Sequence, residues 1–183
     1  AINLIIINII LTYINVQNAN IELSFFIIGQ IVILLSFLLF NFPNAQIFLG
    51  DSGSYLFGSI TALNTIMTNN LNPDYSSFFF CILLFYIFFE VFFSFIRKVI
   101  QKKSPIHPDN KHLHMLTYEK ISSKFGKNNG NYISAVLINI VYSALVFPTL
   151  FFAKDPLLSR YWFFFLIIIY LLVYFRLYRL TKN

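Results

Sequence analysis

Two groups of residues in this chain have the types and spacing to do chemistry. The first is Asp51, set in Gly50-Asp51-Ser52-Gly53 near the end of the stretch from Asn41 to Gly58. The second is Ser104 to His114, which holds all three histidines of the chain within eight residues: His107, His112 and His114. A carboxylate beside two glycines suggests a tight turn where backbone N–H groups and an acid face one ligand. A phosphate with a divalent cation suits that geometry, because hard cations share carboxylate and phosphate oxygens. Imidazoles beside Lys111 supply what a phosphate needs in return, namely N–H donors, positive charge and a group able to carry a proton.

Each group also has a plainer reading. Asp51, Ser52 or Ser54 could cap a following helix. The histidine segment could be a basic interfacial helix drawn to anionic lipid. Gly-Asp-Ser-Gly also surrounds serine-protease nucleophiles, but that chemistry needs a soluble scaffold and a histidine base, and here the string lies among apolar spans. A zinc site is weakly signalled, since His-x-His stands without nearby thiolates.

Of 183 residues, 58% are hydrophobic and 11% charged, with 24 Phe and 11 Tyr. Soluble domains carry about 25% charged residues. The composition therefore implies an all-α, polytopic membrane bundle of about six transmembrane helices, forming one membrane domain over residues 1–183. The apolar spans are 1–14, 23–40, 55–68, 76–96, 132–152 and 161–178. The second, at 18 residues, covers roughly 27 Å as a helix. The basic loop at 97–130 carries a short amphipathic helix after Asp109, stopped by Gly126. The lone Cys81 forms no internal disulfide and reads as a small buried hydrophobe. Asn3, Asn8 and Asn64 are expected to bond between helices, and the Phe and Tyr residues to form packing and lipid-facing surface.

Topology brings the two groups together. Eight of the thirteen Lys and Arg residues lie in 97–130, three more in the C-terminal tail, and only Lys154 and Arg160 between the last two spans. The positive-inside rule then makes the 97–130 loop and the tail cytoplasmic. Alternating crossings put the 41–53 stretch on the same side. An acid within a span costs about 3 kcal/mol on insertion scales and faces the bundle interior. Glu90, in the fourth span and seven residues before Arg97, is expected to pair with a basic residue or to orient the histidine segment.

Together these residues resemble the polyprenyl-phosphate N-acetylhexosamine-1-phosphate transferases, glycosyltransferase family 4, which includes the phospho-MurNAc-pentapeptide translocases. Asn41, Ala45, Phe48, Gly50, Asp51, Gly53, Ser54 and Gly58 match one family motif. Pro108, Asp109, His112 and His114 match the family's histidine loop, and Glu90 an acidic position on the helix before it. The resemblance implies transfer of a sugar-1-phosphate, GlcNAc-1-phosphate foremost, from a UDP-sugar to undecaprenyl phosphate in the bacterial inner membrane, with UMP released. It implies Mg²⁺, with Mn²⁺ as a substitute, and Asp51 as metal ligand or acid–base group. His112 and His114 would be catalytic contacts to the phosphates, Asn41, Gly53, Ser54, Asp109 and Lys111 substrate contacts, and Glu90 their support. A homodimer is left open, and nucleic acid is not an expected partner.

Met115 stands where many members have a third histidine, which favours the polysaccharide branch over the cell-wall translocase. The family's upstream aspartate motifs do not occur in these residues. The chain is thus expected to correspond to the C-terminal half of a transferase and to be inactive alone. The competing reading is a non-catalytic protein that binds membrane or anionic lipid, or half of a transporter.

Overall fold

The computed structural model describes every residue except 105, 106, 108, 109 and 183, and the side chains of 128 and 182 as well are left aside. The described residues form an all-α membrane helical bundle: α1 (Ile2–Gln17), α2 (Ile21–Asn41), α3 (Gly50–Leu71), α4 (Ser77–Ile100), α5 (Leu113–Phe125), α6 (Lys127–Val146) and α7 (Pro156–Lys182). A 3₁₀ turn, Phe147–Phe152, continues α6. Among the described residues four segments are long and apolar enough to cross a membrane: Ile21–Asn41, Ser77–Ile100, Asn129–Phe152 and Pro156–Thr181. The first helix is apolar but shorter. The third has 22 residues and buries Thr61, Asn64, Thr65 and Thr68.

The helices run longer than the apolar spans suggest. The first polar break shrinks to three residues around Ala19, whose φ is 58°. The third span begins at Gly50 rather than near Tyr55. Local signals fix several ends. Ser76 caps α4 by accepting from Phe78 N–H at 3.2 Å. Asp155 caps α7 by accepting from Leu157 N–H at 2.8 Å and Leu158 N–H at 3.0 Å. Gly126, with φ 81°, ends α5 and turns the chain directly into α6.

Polar side chains tie the first three helices together. Gln30 of α2 donates to Thr61 Oγ1 at 2.9 Å and accepts from Asn64 Nδ2 at 2.7 Å. Asn15 of α1 donates to Thr68 Oγ1 at 2.7 Å. Such bonds bind helices where lipid tails remove the hydrophobic drive for helix pairing. Asn64 therefore does what its sequence position suggests, while Asn3 and Asn8 do not. Their amides are buried with no hydrogen-bond partner among the described residues. Asn3 lines a largely apolar cavity with Leu84, Ile87 and Phe88. Cys81 lies on an exposed face of α4 rather than in the core.

The apolar core joins Ile7, Ile10 and Ile14 of α1 to Phe79, Ile82 and Leu83 of α4 and to Leu166, Tyr170 and Tyr174 of α7. The amphipathic α5 folds back on α6 and also packs on α7. Helices α5 and α6 come close at Gly130, where a Cβ would lie 2.8 Å from Ser122 Cα. Backbone on both sides leaves no flexible atom to give way. Gly130→Ala should therefore lower stability by about 1–3 kcal/mol, as overpacking does, read as a lower melting temperature in detergent.

Candidate functional site

The site is built from the loop between α2 and α3, the start of α3, the middle of α4 and the N-terminal end of α5. The α2–α3 loop closes back on the end of α2. Ala45 N–H donates to Asn41 O at 2.7 Å and Gln46 N–H to Phe40 O at 3.1 Å, satisfying carbonyls the helix end leaves open. Asn41 Nδ2 donates to Ile47 O at 2.7 Å, so this amide braces the loop. Positive φ at Ala45 (49°) and Gly50 (68°) completes the turn. The second is a glycine, which has no side chain to strain there.

Gly50 begins α3, and Asp51 sits in the helix's first turn. This differs from the capping alternative: the cap position is Leu49, and no side chain caps the helix. A carboxylate in the first turn is favoured by the helix dipole. Asp51 is exposed, and no hydrogen bond links its side chain to another described residue. Gly53, Ser54 and Gly58 are helical rather than part of the turn. A Cβ at Gly53 would meet Leu49 Cγ at 2.9 Å, and Ser54 Oγ donates to Gly50 O at 2.7 Å.

The histidine segment is held from α4. Glu90 lies thirteen residues into that helix, about 20 Å from its start. Its Oε1 accepts from His112 Nδ1 at 3.0 Å and from Leu113 N–H at 2.8 Å, and its Oε2 from Tyr170 O–H at 2.7 Å. The basic side chain that Glu90 meets is thus His112 itself, so pairing and contact with the histidine segment coincide. The Leu113 N–H is the first orphan donor of α5, so Glu90 caps that helix from across the bundle. His112 occupies the N-cap position with extended backbone, φ −74° and ψ 150°. Asp109, the cap expected from sequence, lies outside the described residues.

His112 and His114 straddle the change from extended chain to helix. Their rings stack with centroids 5.5 Å apart and planes 21° apart. Upstream, Lys98 Nζ donates to His107 O at 2.7 Å. Tyr174 O–H donates to Lys111 O at 3.0 Å, and Lys111 Nζ lies 5.4 Å from the Tyr178 ring centroid. Tyr170, Tyr174 and Tyr178 thus line one face of α7 at helical spacing and reach toward the site. Aromatic abundance hid them as packing surface; their period of four on the last helix was the available signal.

The structure brings the α2–α3 loop to the histidines. Pro43, Asn44, His114, Tyr118, Lys127 and Tyr132 share a cavity of about 800 Å³. Asp51 lies seven residues beyond Asn44 and outside that lining. Ser54 and Gly58 instead open onto a second, largely apolar cavity of about 790 Å³ between α1, α3 and α4, with Phe88, Phe92 and Phe95. Among the described residues no cluster of three His, Cys, Asp or Glu could hold a metal. Asp51, exposed in the first turn of α3, could offer a cation one carboxylate, the remaining ligands having to come from elsewhere.

Residues 1–69 match the family model described as glycosyl transferase family 4, a stretch that contains the whole Asn41–Gly58 motif. A curated undecaprenyl-phosphate alpha-N-acetylglucosaminyl 1-phosphate transferase of Thermotoga maritima is 37% identical over 100 residues. Both matches are likenesses over part of this chain. The aligned stretch is 55% of this chain and 31% of the relative. No solved structure matches.

Two outcomes follow from the geometry. Glu90→Gln turns one acceptor oxygen into a donor and leaves one of its partners unsatisfied. The expected cost is about 1–3 kcal/mol, measured as a lower melting temperature in detergent. The second concerns His114. Although part of its ring is exposed, surrounding protein lowers its pKa below 6.5 by desolvation, with the Glu90 carboxylate opposing and His112 assisting. As pH falls through the ordinary histidine range, the unfolded chain takes up this proton first. Stability is therefore greatest above about 6.5 and declines below it. His114→Gln should flatten that decline in melts taken from pH 8 to pH 5.

Proposed function

We propose that this chain forms the phosphate-handling part of an enzyme that transfers GlcNAc-1-phosphate from UDP-GlcNAc to undecaprenyl phosphate, releasing UMP. The reaction lies at the cytoplasmic face of a bacterial inner membrane, as the first membrane step of envelope polysaccharide synthesis. The observation that carries this reading is the shared cavity of Asn44 and His114, beside the Glu90-held His112. Two motifs far apart in sequence converge on one end of the bundle, where a charged donor could meet a lipid phosphate. The name of the Thermotoga maritima relative supports the same substrates.

In this reading His112 and His114 offer ring nitrogens to the donor and acceptor phosphates, while Lys111 supplies positive charge. Glu90 holds His112 through Nδ1, which leaves Nε2 for substrate. Pro43 and Asn44 of the α2–α3 loop form the other wall of that cavity, and Asn41, Gly53 and Ser54 nearby in the same motif are read as substrate contacts, with Asp51 as the residue to hold Mg²⁺. That ion would neutralise pyrophosphate charge and ease departure of UMP. The apolar cavity beside Ser54 and Gly58 suits the first isoprene units of the acceptor. Asp109 and a homodimer remain part of the proposal.

The test uses the full-length transferase in membranes, with radiolabelled UDP-GlcNAc and undecaprenyl phosphate. Asp51→Asn should lose nearly all transfer, by 10²-fold or more as for removal of an electrostatic catalytic group, while inserting normally. Unchanged transfer would favour a lipid-binding protein or transporter half. The 183 residues alone, which contain no paired-aspartate motif, should label no lipid; robust labelling would show that they suffice.

A further inference from the structure

We propose that Tyr170, on the last helix, is a positioning residue that fixes the orientation and tautomer of His112 through Glu90. Its effect on catalysis rests on the transferase reading above, but the placement itself does not. A glutamate side chain ends in a broad, nearly two-fold torsion. Oε1 of Glu90 is occupied by His112 and Leu113, but those contacts lie on one side of the carboxylate. The Tyr170 hydroxyl, donating to Oε2 at 2.7 Å, secures the other side. With both oxygens engaged, the carboxylate plane is set, and with it the direction from which His112 Nδ1–H is accepted. The nitrogen that carries the imidazole proton is decided by the hydrogen bond its partner makes.

The phenol is itself rigidly placed. Its ring packs edge-on against Phe89, with centroids 4.9 Å apart, and against Phe93 at 5.5 Å. It stacks on Tyr174 at 6.2 Å with planes 11° apart. Tyr174 in turn donates to Lys111 O at 3.0 Å. The last helix therefore grips the chain on both sides of His112, at Lys111 directly and at Leu113 through Glu90. The Met115 position follows on α5, so the two remaining imidazoles of this motif depend on that grip.

The experiment has two arms. In the first, the 183-residue chain is labelled with ¹⁵N-histidine in detergent micelles, and His112 is assigned by its loss in His112→Gln. The native chain should show one His112 tautomer, protonated at Nδ1. Tyr170→Phe should mix the two tautomers, whereas Tyr142→Phe should not. Tyr142 is the control because its hydroxyl also bridges buried helices, donating to Leu83 O at 2.6 Å, away from the histidines. Identical His112 signals in native and Tyr170→Phe protein would overturn the proposal.

In the second arm, Tyr170→Phe in the full-length transferase should lower kcat about tenfold, the scale seen when a histidine loses its orienting partner. KM for UDP-GlcNAc should stay within about twofold, since no substrate contact is removed. Tyr142→Phe should leave both unchanged. An equal loss of kcat in the two variants would mean helix packing alone and would overturn the proposal. Native enzyme without transfer would refute the transferase reading, and the tautomer arm would still decide the role of Tyr170.

Discussion

The structure turns on one carboxylate in an apolar helix. Glu90 is surrounded in sequence by Phe88, Phe89, Phe92 and Phe93, an environment that penalises an unsatisfied acid. It is retained with three donors from other parts of the chain: the His112 ring, the Leu113 backbone and the Tyr170 hydroxyl. Charge-assisted bonds of this kind strengthen where water is excluded. Because the donors come from the histidine segment, from α5 and from α7, satisfying this single group also fixes how those parts meet. A helix that would otherwise be a lipid-facing span becomes the post on which the site is hung.

The opposite wall has a different construction. The α2–α3 loop is shaped by its own backbone, through bonds to Phe40 O and Asn41 O and positive φ at Ala45 and Gly50. It is held in place by α2 and α3, which the Gln30–Thr61–Asn64 bonds lock to each other. One wall thus depends on a long-range acid and the other on a local turn with a polar seam behind it. The two meet at the cavity between Asn44 and His114. Asp51 stands at the edge of this arrangement, exposed in the first turn of α3, where a helix N-terminus and a carboxylate are both available to charged ligands.

Much of this was legible in the chain, and the particular residues show why. Runs such as 23–40 and 76–96 are too apolar to be anything but membrane helices. The positive charges in 97–130 place the histidine loop and the Asp51 stretch on one side by counting alone. Gly126 ends α5 as its backbone freedom suggests. The motif around Asp51 carries the family resemblance in its residues alone, and the family match over residues 1–69 agrees with it. The extents of the helices were less legible. Asn15 and the residues from Gly50 to Ser54 look like loop by composition, yet they are helical: Asn15 finds a partner in Thr68 of α3, and Ser54 bonds back to Gly50 O within its own helix. Cys81 looked like core for the converse reason: a membrane helix needs no polar outer face, so apolar identity does not reveal which side is buried.

What the sequence by itself determined is the class of molecule, the segment in which its positive charges gather and the residue types with the capacity for chemistry. Hydropathy, charge asymmetry and motif spacing are properties of residues near one another, so they survive without a fold. What only the tertiary structure decided is who holds whom. Glu90 and Tyr170 are 80 positions apart and Asn44 and His114 are 70 apart, and nothing local marks either pair as neighbours. Their meeting follows from helix packing, which brings distant segments within hydrogen-bond reach or around one cavity only once the bundle has closed.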